Sequence, residues 1–262
     1  MQRLANPKSN KKKVNPEVKR QQQQAYKEKE RLRQRKTMRN LIIGTVAVIA
    51  VVVLLIVFIP NNNNDTTSGT PASFDYTQLP VKGDANAPVK IVEFGDFKCP
   101  VCKMYNEQIV PQIQKDFIDN GTVALHFANF PFIGEDSTTA ALAAESVYHQ
   151  KNDAFWTYLD AIYTNQKDEN TNWATADYLV QLAEQAKLGI DTTKLRQDID
   201  NKTYADQVEA QYKKGQELNI QGTPSIFING VQYTGDLGDY NALKQAIEKA
   251  QQQAAATTGT GG

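Results

Sequence analysis

The chain contains two cysteines, Cys99 and Cys102, in a total of 262 residues. They form a CxxC motif that begins shortly after the mainly apolar run 89–94. A CxxC that follows a strand and opens a helix is typical of a thioredoxin-like redox pair. Helical residues three apart have Cβ atoms about 5–6 Å apart, and a disulfide requires Cα atoms about 4.4–6.8 Å apart. One helical turn can therefore close the bond or hold two thiols.

A structural disulfide and a metal site are the alternatives. A bridge across four residues constrains the unfolded chain by only about 2 kcal/mol, against about 4.7 for a loop of 100 residues. Structural zinc needs four ligands, and the two histidines, His126 and His149, are scattered; we interpret both as structural. The acidic stretch 168–170 lacks the spacing of a calcium loop. We therefore favour a redox-active pair and predict no metal site.

The position of Cys99 at the start of a helix favours its thiolate, because unpaired N–H groups and the positive end of the helix dipole stabilise an anion there. Pro100 falls at the first helical position, where its missing N–H costs nothing. Cys102 lies one turn further in and should be more buried. We predict that Cys99 is the exposed attacking thiol and that Cys102 is the resolving thiol.

The surrounding pattern alternates strands and helices. Residues 89–94 predict a buried strand, and a helix follows from Cys99 with a kink at Pro111. Residues 122–127 predict a second strand, and apolar stripes indicate helices from 137 to 219. Two further strands, 225–228 and 231–234, flank Asn229-Gly230, a strong hairpin signal. The apolar face of the first helix is made by residues four apart: Tyr105, Ile109, Ile113 and Phe117.

A last helix is predicted over residues 240–252. This order predicts an α/β thioredoxin fold over residues 74–252, with a helical subdomain inserted at 136–219. A domain of that length is long enough to bury one hydrophobic core. We expect residues 253–262 to form a disordered tail.

The charge distribution predicts a membrane anchor. Residues 1–40 carry 14 basic and three acidic side chains, a net charge of +11, while the whole chain is neutral. Residues 41–59 are an uncharged apolar run that spans about 28 Å as a helix, about one hydrocarbon core. A cleaved signal peptide, the alternative, has a shorter apolar region of about 7–15 residues. We therefore predict one transmembrane helix at 41–59 and a flexible linker at 60–73.

Basic flanks stay cytoplasmic, so the domain after the helix should be extracytoplasmic, where disulfides persist. The basic segment 1–40 has Tyr26 as its single aromatic residue. We interpret it as a topology signal with weak attraction to anionic lipid, and we expect no nucleic-acid partner.

Three segments resemble the DsbA-like thiol–disulfide oxidoreductases. The active-site segment 92–102 is one, and the segment 222–230 is similar to that family's cis-proline loop and hairpin. The lead-in 81–89 resembles the membrane-anchored members of Gram-positive bacteria. The resemblance covers residues 75–252 and implies that Pro224 is cis and that the backbone of Thr223 pairs with an extended substrate.

The resemblance also implies that Glu93 is a buried acid that exchanges a proton with Cys102; a surface pairing with Lys98 is the alternative. The dipeptide Pro100-Val101 departs from the Pro-His of the strongest oxidants in this family. Because Val101 has no imidazole to hydrogen-bond the thiolate, we expect a less depressed thiol pKa and a less oxidising couple.

We therefore predict an enzyme that introduces disulfides into secreted or surface proteins, with no bound cofactor. The family implies re-oxidation by a quinone-linked integral membrane protein, and we expect a monomer. A reductase or isomerase of the same fold is one alternative. A peptide-binding, chaperone-like module with a structural disulfide is the other.

Overall fold

The computed structural model describes residues 67–259 and the side chains of residues 69–257. The predicted basic segment 1–40, the predicted membrane helix 41–59 and the first half of the predicted linker, residues 60–66, lie outside this range. Between residues 67 and 259, no helix combines the length and the apolar character needed to cross a membrane.

The strands of the described residues form one six-stranded mixed sheet in the order β1-β6-β5-β3-β4-β2. The central strand β3 pairs in parallel with β4 and antiparallel with β5. The outer pairs β5–β6, β1–β6 and β2–β4 are antiparallel. The strands are β1 (Thr67–Ser68), β2 (Val81–Lys82), β3 (Val89–Gly95), β4 (Val123–Asn129), β5 (Ser225–Ile228) and β6 (Val231–Tyr233).

Within residues 67–259, two short α-helices lie between β3 and β4, five α-helices lie between β4 and β5, and one follows β6. This order confirms the predicted thioredoxin-type arrangement with an inserted helical region. A short 3₁₀ turn, Tyr76–Gln78, precedes β2. The helices are α1 (Pro100–Met104), α2 (Val110–Ile113), α3 (Glu135–Gln150), α4 (Asn152–Thr164), α5 (Ala176–Gln185), α6 (Thr192–Asp200), α7 (Ala205–Glu217) and α8 (Tyr240–Gly259).

The first helical stretch is not a regular α-helix. A π-helical turn, Tyr105–Ile109, separates α1 from α2, and a second one, Gln114–Ile118, follows α2. The break coincides with Pro111, which cannot donate the hydrogen bond that a continuous α-helix needs at that position. The N–H of Val110 instead reaches the carbonyl of Tyr105, five residues back. The irregularity predicted at Pro111 thus takes the form of flanking π turns.

The hairpin forms where Asn229-Gly230 predicts it. Both residues have positive φ, 47° and 83°, as a two-residue turn of this kind requires. Asn229 also ties the hairpin to β3, because its side-chain oxygen accepts the N–H of Lys90 at 2.7 Å and its own N–H donates to the Lys90 carbonyl at 2.8 Å. A Cβ on Gly230 would overlap the backbone of Ala72, so the N-terminal segment packs directly on this turn.

Two hydrophobic clusters cover the two faces of the sheet. Side chains alternate along a strand, so Val89 and Ile91 of β3 join the larger cluster, whereas Val92 and Phe94 join the smaller one. The larger cluster also contains both cysteines. By the same alternation Glu93 faces the cysteine side, and it is fully buried there.

Two predicted boundaries are wrong. The segment predicted as a flexible linker contains β1, which pairs with β6. The segment 253–262, predicted to be disordered, is helical as far as Gly259 because α8 continues past residue 252. The run of glutamine and alanine at residues 251–256 has high helix propensity, which explains the extension.

Candidate active site

Cys99 is the N-cap of α1, and Pro100 occupies the first turn, as predicted. The Cys99 sulfur accepts the backbone N–H of Cys102 at 3.4 Å. A cysteine sulfur therefore takes the place that an oxygen of Ser or Asp usually has at a helix start. Both cysteines are free thiols in this structure.

The burial of the two sulfurs differs in degree. Cys102 has no exposed surface, and Cys99 is 5% exposed. The prediction that Cys99 is solvent-facing is therefore wrong, because the Cys99 thiol lies against the carbonyl oxygen of Thr223 at 3.3 Å. Cys99 is still the more exposed of the two cysteines, in agreement with its predicted role as the attacking thiol and that of Cys102 as the resolving thiol. Val101, between the cysteines, is 44% exposed, and its aliphatic side chain has no group that could donate a hydrogen bond to the sulfur.

The two thiols have opposite electrostatic environments. The pKa of the Cys99 thiol is lowered to about 6, chiefly because the Cys102 thiol donates a hydrogen bond to it, helped by Thr223 and by backbone N–H groups at the helix start. The pKa of the Cys102 thiol is raised well above its usual value, first by burial and then by the negative charge of Cys99. Cys99 is thus the thiolate at neutral pH and Cys102 the protonated partner.

The loop before β5 covers the cysteine pair. The peptide bond between Thr223 and Pro224 is cis, which confirms the prediction from the sequence. Besides its carbonyl contact with Cys99, Thr223 has a buried hydroxyl without a conventional partner. This hydroxyl can turn toward the thiolate, and it helps to lower the pKa of Cys99.

Glu93 lies beneath the pair and is 0% exposed. Burial raises its pKa to about 8, a hydrogen bond from Asn106 opposes the rise, and the charge of Cys99 adds to it. The alternative pairing of Glu93 with Lys98 is wrong, because the Lys98 ammonium lies 2.5 Å from Asp136 instead. Glu93 therefore keeps its proton at neutral pH in the reduced form.

Sequence reasoning missed the residues that hold the loop before α1. The Asp96 carboxylate accepts the N–H groups of Lys98 at 2.8 Å, Phe132 at 2.9 Å and Ile133 at 3.1 Å, and so joins the loop after β3 to the loop after β4. The amide of Gln166 donates to the carbonyl of Cys99 at 3.0 Å. Phe132, Ile133 and Gln166 lie between 36 and 67 residues away from the residues they contact, and no local pattern marks them.

The histidines lie away from the cysteines. His126 is buried in β4 beside the ring of Tyr76, and burial lowers its pKa to about 4. His149 stacks on Tyr204 with ring centroids 4.4 Å apart. In the part of the chain that the structure describes, no three His, Cys, Asp or Glu side chains are grouped to hold a metal ion.

Residues 77–249 match the family model described as thioredoxin. The probable disulfide bond formation protein D of Bacillus cereus is 38% identical over 176 residues, which cover 67% of this chain and 80% of that protein. The chain is a DsbA-like member of the thioredoxin family. The disulfide bond formation protein D of Bacillus subtilis is similar to this DsbA-like chain at 42% identity over 170 residues, covering 65% of this chain and 76% of that protein.

Solved structures agree with this assignment. The crystal structure of oxidised BdbD from Bacillus subtilis superposes with a TM-score of 0.65 at 40% identity, covering 71% of this chain and 97% of that one. DsbA from Chlamydia trachomatis gives a TM-score of 0.60 at 25% identity with the same coverage, 71% and 97%. The DsbA-like chain is thus a thiol–disulfide oxidoreductase.

Proposed function

We propose that this DsbA-like oxidoreductase introduces disulfides into cysteine-containing secreted or surface proteins by exchange through Cys99 and Cys102. The observation that carries the proposal is the asymmetry of the two thiols. Cys99 has a pKa of about 6 at the helix start, and Cys102 is fully buried with a raised pKa. A stabilised thiolate is a good leaving group and makes the reduced form favourable, which is the property of an oxidant.

In the proposed reaction a substrate thiolate attacks the Cys99 sulfur of the enzyme disulfide. The bond between Cys99 and Cys102 breaks, and Cys102 leaves with the electron pair and takes up a proton. A second substrate thiolate then attacks the substrate sulfur of the mixed disulfide and releases the Cys99 thiolate. The substrate loses two electrons and gains a disulfide, and the enzyme ends as the dithiol.

Thr223 and Pro224 are the proposed substrate-binding residues. The Thr223 carbonyl faces Cys99 at 3.3 Å, so an extended substrate segment can pair with the backbone here while its cysteine approaches the sulfur. Glu93 is the proposed proton partner of Cys102, and Pro100 and Val101 tune the thiol through the helix start. No bound cofactor is part of this scheme.

We further propose that residues 41–59 anchor the enzyme in the cell membrane as a single span, with residues 1–40 in the cytoplasm and the catalytic domain, residues 74–252, outside. Each turnover leaves the enzyme reduced, so it requires a re-oxidant, for which a quinone-linked integral membrane protein is proposed. The enzyme is proposed to act as a monomer. After reduction with a membrane-impermeant reductant, labelling of Cys99 in intact cells by a membrane-impermeant maleimide supports this topology, and labelling only after lysis contradicts it.

The test of activity uses the full-length protein and a reduced peptide with two cysteines. The oxidised enzyme should form the peptide disulfide, as measured by mass spectrometry, and Cys99→Ser should abolish turnover. Cys102→Ala should accumulate mixed disulfides through Cys99, and their absence would contradict the assigned roles. Undiminished peptide binding by Cys99→Ser with no turnover in the wild type would indicate a binding module. An equilibrium with glutathione that leaves the enzyme oxidised would favour a reductase.

A further inference from the structure

We propose that Asn106 is a positioning residue that holds the Glu93 carboxyl in place for proton exchange with Cys102. This inference rests on the proposed function of the cysteine pair. Asn106 belongs to neither the CxxC motif nor the cis-proline loop, and its role follows from its contacts.

The side-chain amide of Asn106 joins the acid to the resolving cysteine. Its nitrogen donates to Glu93 Oε1 at 2.7 Å and to the carbonyl oxygen of Cys102 at 3.0 Å. Asn106 is 6% exposed, and Glu93 and Cys102 are not exposed at all. One amide group therefore fixes the distance between the carboxyl and the Cys102 backbone inside the core.

The two contacts of Asn106 depend on its position in a π-helical turn. Asn106 is the second residue of the turn Tyr105–Ile109, where the regular hydrogen-bond pattern is interrupted. The carbonyl of Cys102 accepts both the N–H of Tyr105 and the side-chain amide of Asn106. Such π turns often occur at functional sites. Here the turn places a polar side chain under the cysteine pair.

No other side chain in the described residues holds the Glu93 carboxyl, since its second oxygen, Oε2, has no hydrogen-bond partner. The titratable groups that interact with Glu93 are both cysteine thiols and the hydroxyls of Tyr105 and Tyr163. The Tyr105 hydroxyl is buried without a partner, and the Tyr163 hydroxyl donates to the carbonyl of Asp96 at 3.5 Å. From the neighbouring strands, apolar residues pair with Glu93: Phe127 and Ile226.

Asn106 also favours the ionised form of the acid. Burial raises the pKa of Glu93 to about 8, and the hydrogen bond from Asn106 is the cause that opposes this rise. An amide N–H binds a carboxylate more strongly than a protonated carboxyl, so the bond favours ionisation. Without Asn106, Glu93 would become a usable base only at a higher pH.

The step that depends on this arrangement is the resolution of a mixed disulfide on Cys99. The Cys102 thiol loses its proton to the Glu93 carboxylate, and its sulfur forms the bond with Cys99 Sγ. The bond from Cys99 to the departing sulfur breaks, and that sulfur leaves as a thiolate with the electron pair. When Cys102 is the leaving group instead, protonated Glu93 returns the proton.

The experiment uses reduced full-length protein and oxidised glutathione at saturating concentration. The unimolecular rate at which Cys102 releases glutathione from Cys99 is followed by acid quench and mass spectrometry across the pH range in which Glu93 titrates. Losing a hydrogen bond to a charged group corresponds to about one pKa unit. Asn106→Leu should therefore move the midpoint of the rate profile upward by about one pH unit, which lowers the rate about tenfold below the midpoint.

The matched control is Gln112→Leu on the same helical stretch. The Gln112 amide donates to the Gln108 carbonyl at 2.8 Å on the exposed face, so its loss should leave the profile unchanged. In a Glu93→Gln background, Asn106→Leu should cause no further shift, because the group through which it acts is absent.

Three results would overturn the role of Asn106: an unshifted profile in Asn106→Leu, an equal shift in the Glu93→Gln background, or an equal shift in the control. If circular dichroism shows that Asn106→Leu does not fold, the same rate profile is measured for Asn106→Asp instead. Its second carboxyl beside Glu93 should raise the midpoint further, and an unshifted midpoint rejects the proposal. A wild type that never forms its own disulfide would instead reject the proposed function.

Discussion

Removal of the Cys102 thiol should raise the pKa of Cys99, because that thiol is the largest cause of its low value. Hydrogen bonds to charged groups contribute about 1.5–3 kcal/mol, and a thiol is a weak donor. We therefore take the lower end, close to one pKa unit. Cys102→Ala should then move the pKa of Cys99 from about 6 to about 7. At pH 6.5 the thiolate fraction should fall from about three-quarters to about one-quarter.

The pKa of Cys99 should not rise further, because the N–H groups at the start of α1 still stabilise the thiolate. The backbone N–H of Cys102, at 3.4 Å from the Cys99 sulfur, is present in the alanine variant as well. Cys102→Ser is the matched control, since its hydroxyl is a better hydrogen-bond donor than a thiol. The serine variant should keep the pKa of Cys99 near the wild-type value.

The assay is the rate of alkylation by iodoacetamide as a function of pH, with the modified residue located by mass spectrometry. In the wild type, Cys102 should not react in this range because its pKa is raised well above the usual value. If the alanine variant titrates at the wild-type pH, or if alanine and serine behave alike, the hydrogen bond between the thiols is not what lowers the pKa of Cys99.

Three further predictions concern the surroundings of the pair. Lys98→Met should lower the free energy of unfolding by about 3 kcal/mol in urea denaturation, because it leaves the buried carboxylate of Asp136 without its cation; an unchanged midpoint refutes a role for this ion pair. Glu145 is fully buried, and burial raises its pKa from about 4.5 to about 7. The folded state therefore binds this proton more tightly than the unfolded state, and stability is lost as the pH rises from about 4.5 to about 7. Glu145→Gln should remove that loss, up to about 3 kcal/mol above pH 7, and equal denaturation curves at pH 5 and pH 8 in the wild type would contradict this. Val101→His should lower the pKa of Cys99 and give a more oxidising couple against glutathione, and an unchanged or lower potential would show that the imidazole does not reach the thiolate.

The sequence predicts the parts of the site that depend on local chemistry. The helix start at Cys99 and the turn at Asn229-Gly230 follow from backbone preferences that neighbouring residues determine, and the structure confirms them. The pKa of Cys99, about 6, also agrees with the expectation that a Pro-Val pair gives a less depressed value than the ~3.5 of DsbA itself. The potential of the couple stays a prediction.

The partners of charged residues were beyond prediction because tertiary packing decides them. Lys98 and Glu93 are close in sequence, but the strand alternation turns Glu93 under the helix, whereas Lys98 meets a carboxylate 38 residues away. The burial of Cys99 depends on the Thr223 loop, 124 residues further along the chain. The position of Asn106 near the cysteine pair could have been predicted from the sequence, since a residue four positions after Cys102 lies on the same helix face.

The short strand β1 has a consequence for an enzyme that meets unfolded chains. A sheet edge with free N–H and C=O groups invites other extended polypeptides to join it, and natural proteins keep such edges short or covered. Here the rim of β6 is capped by Thr67 and Ser68 of the same chain, and Ala72 is bonded to the hairpin turn through Gly230. In the part of the chain that the structure describes, the edge that the sheet presents on this side is therefore a strand of only two residues, which is too short for an unfolded substrate of the proposed reaction to extend the sheet readily.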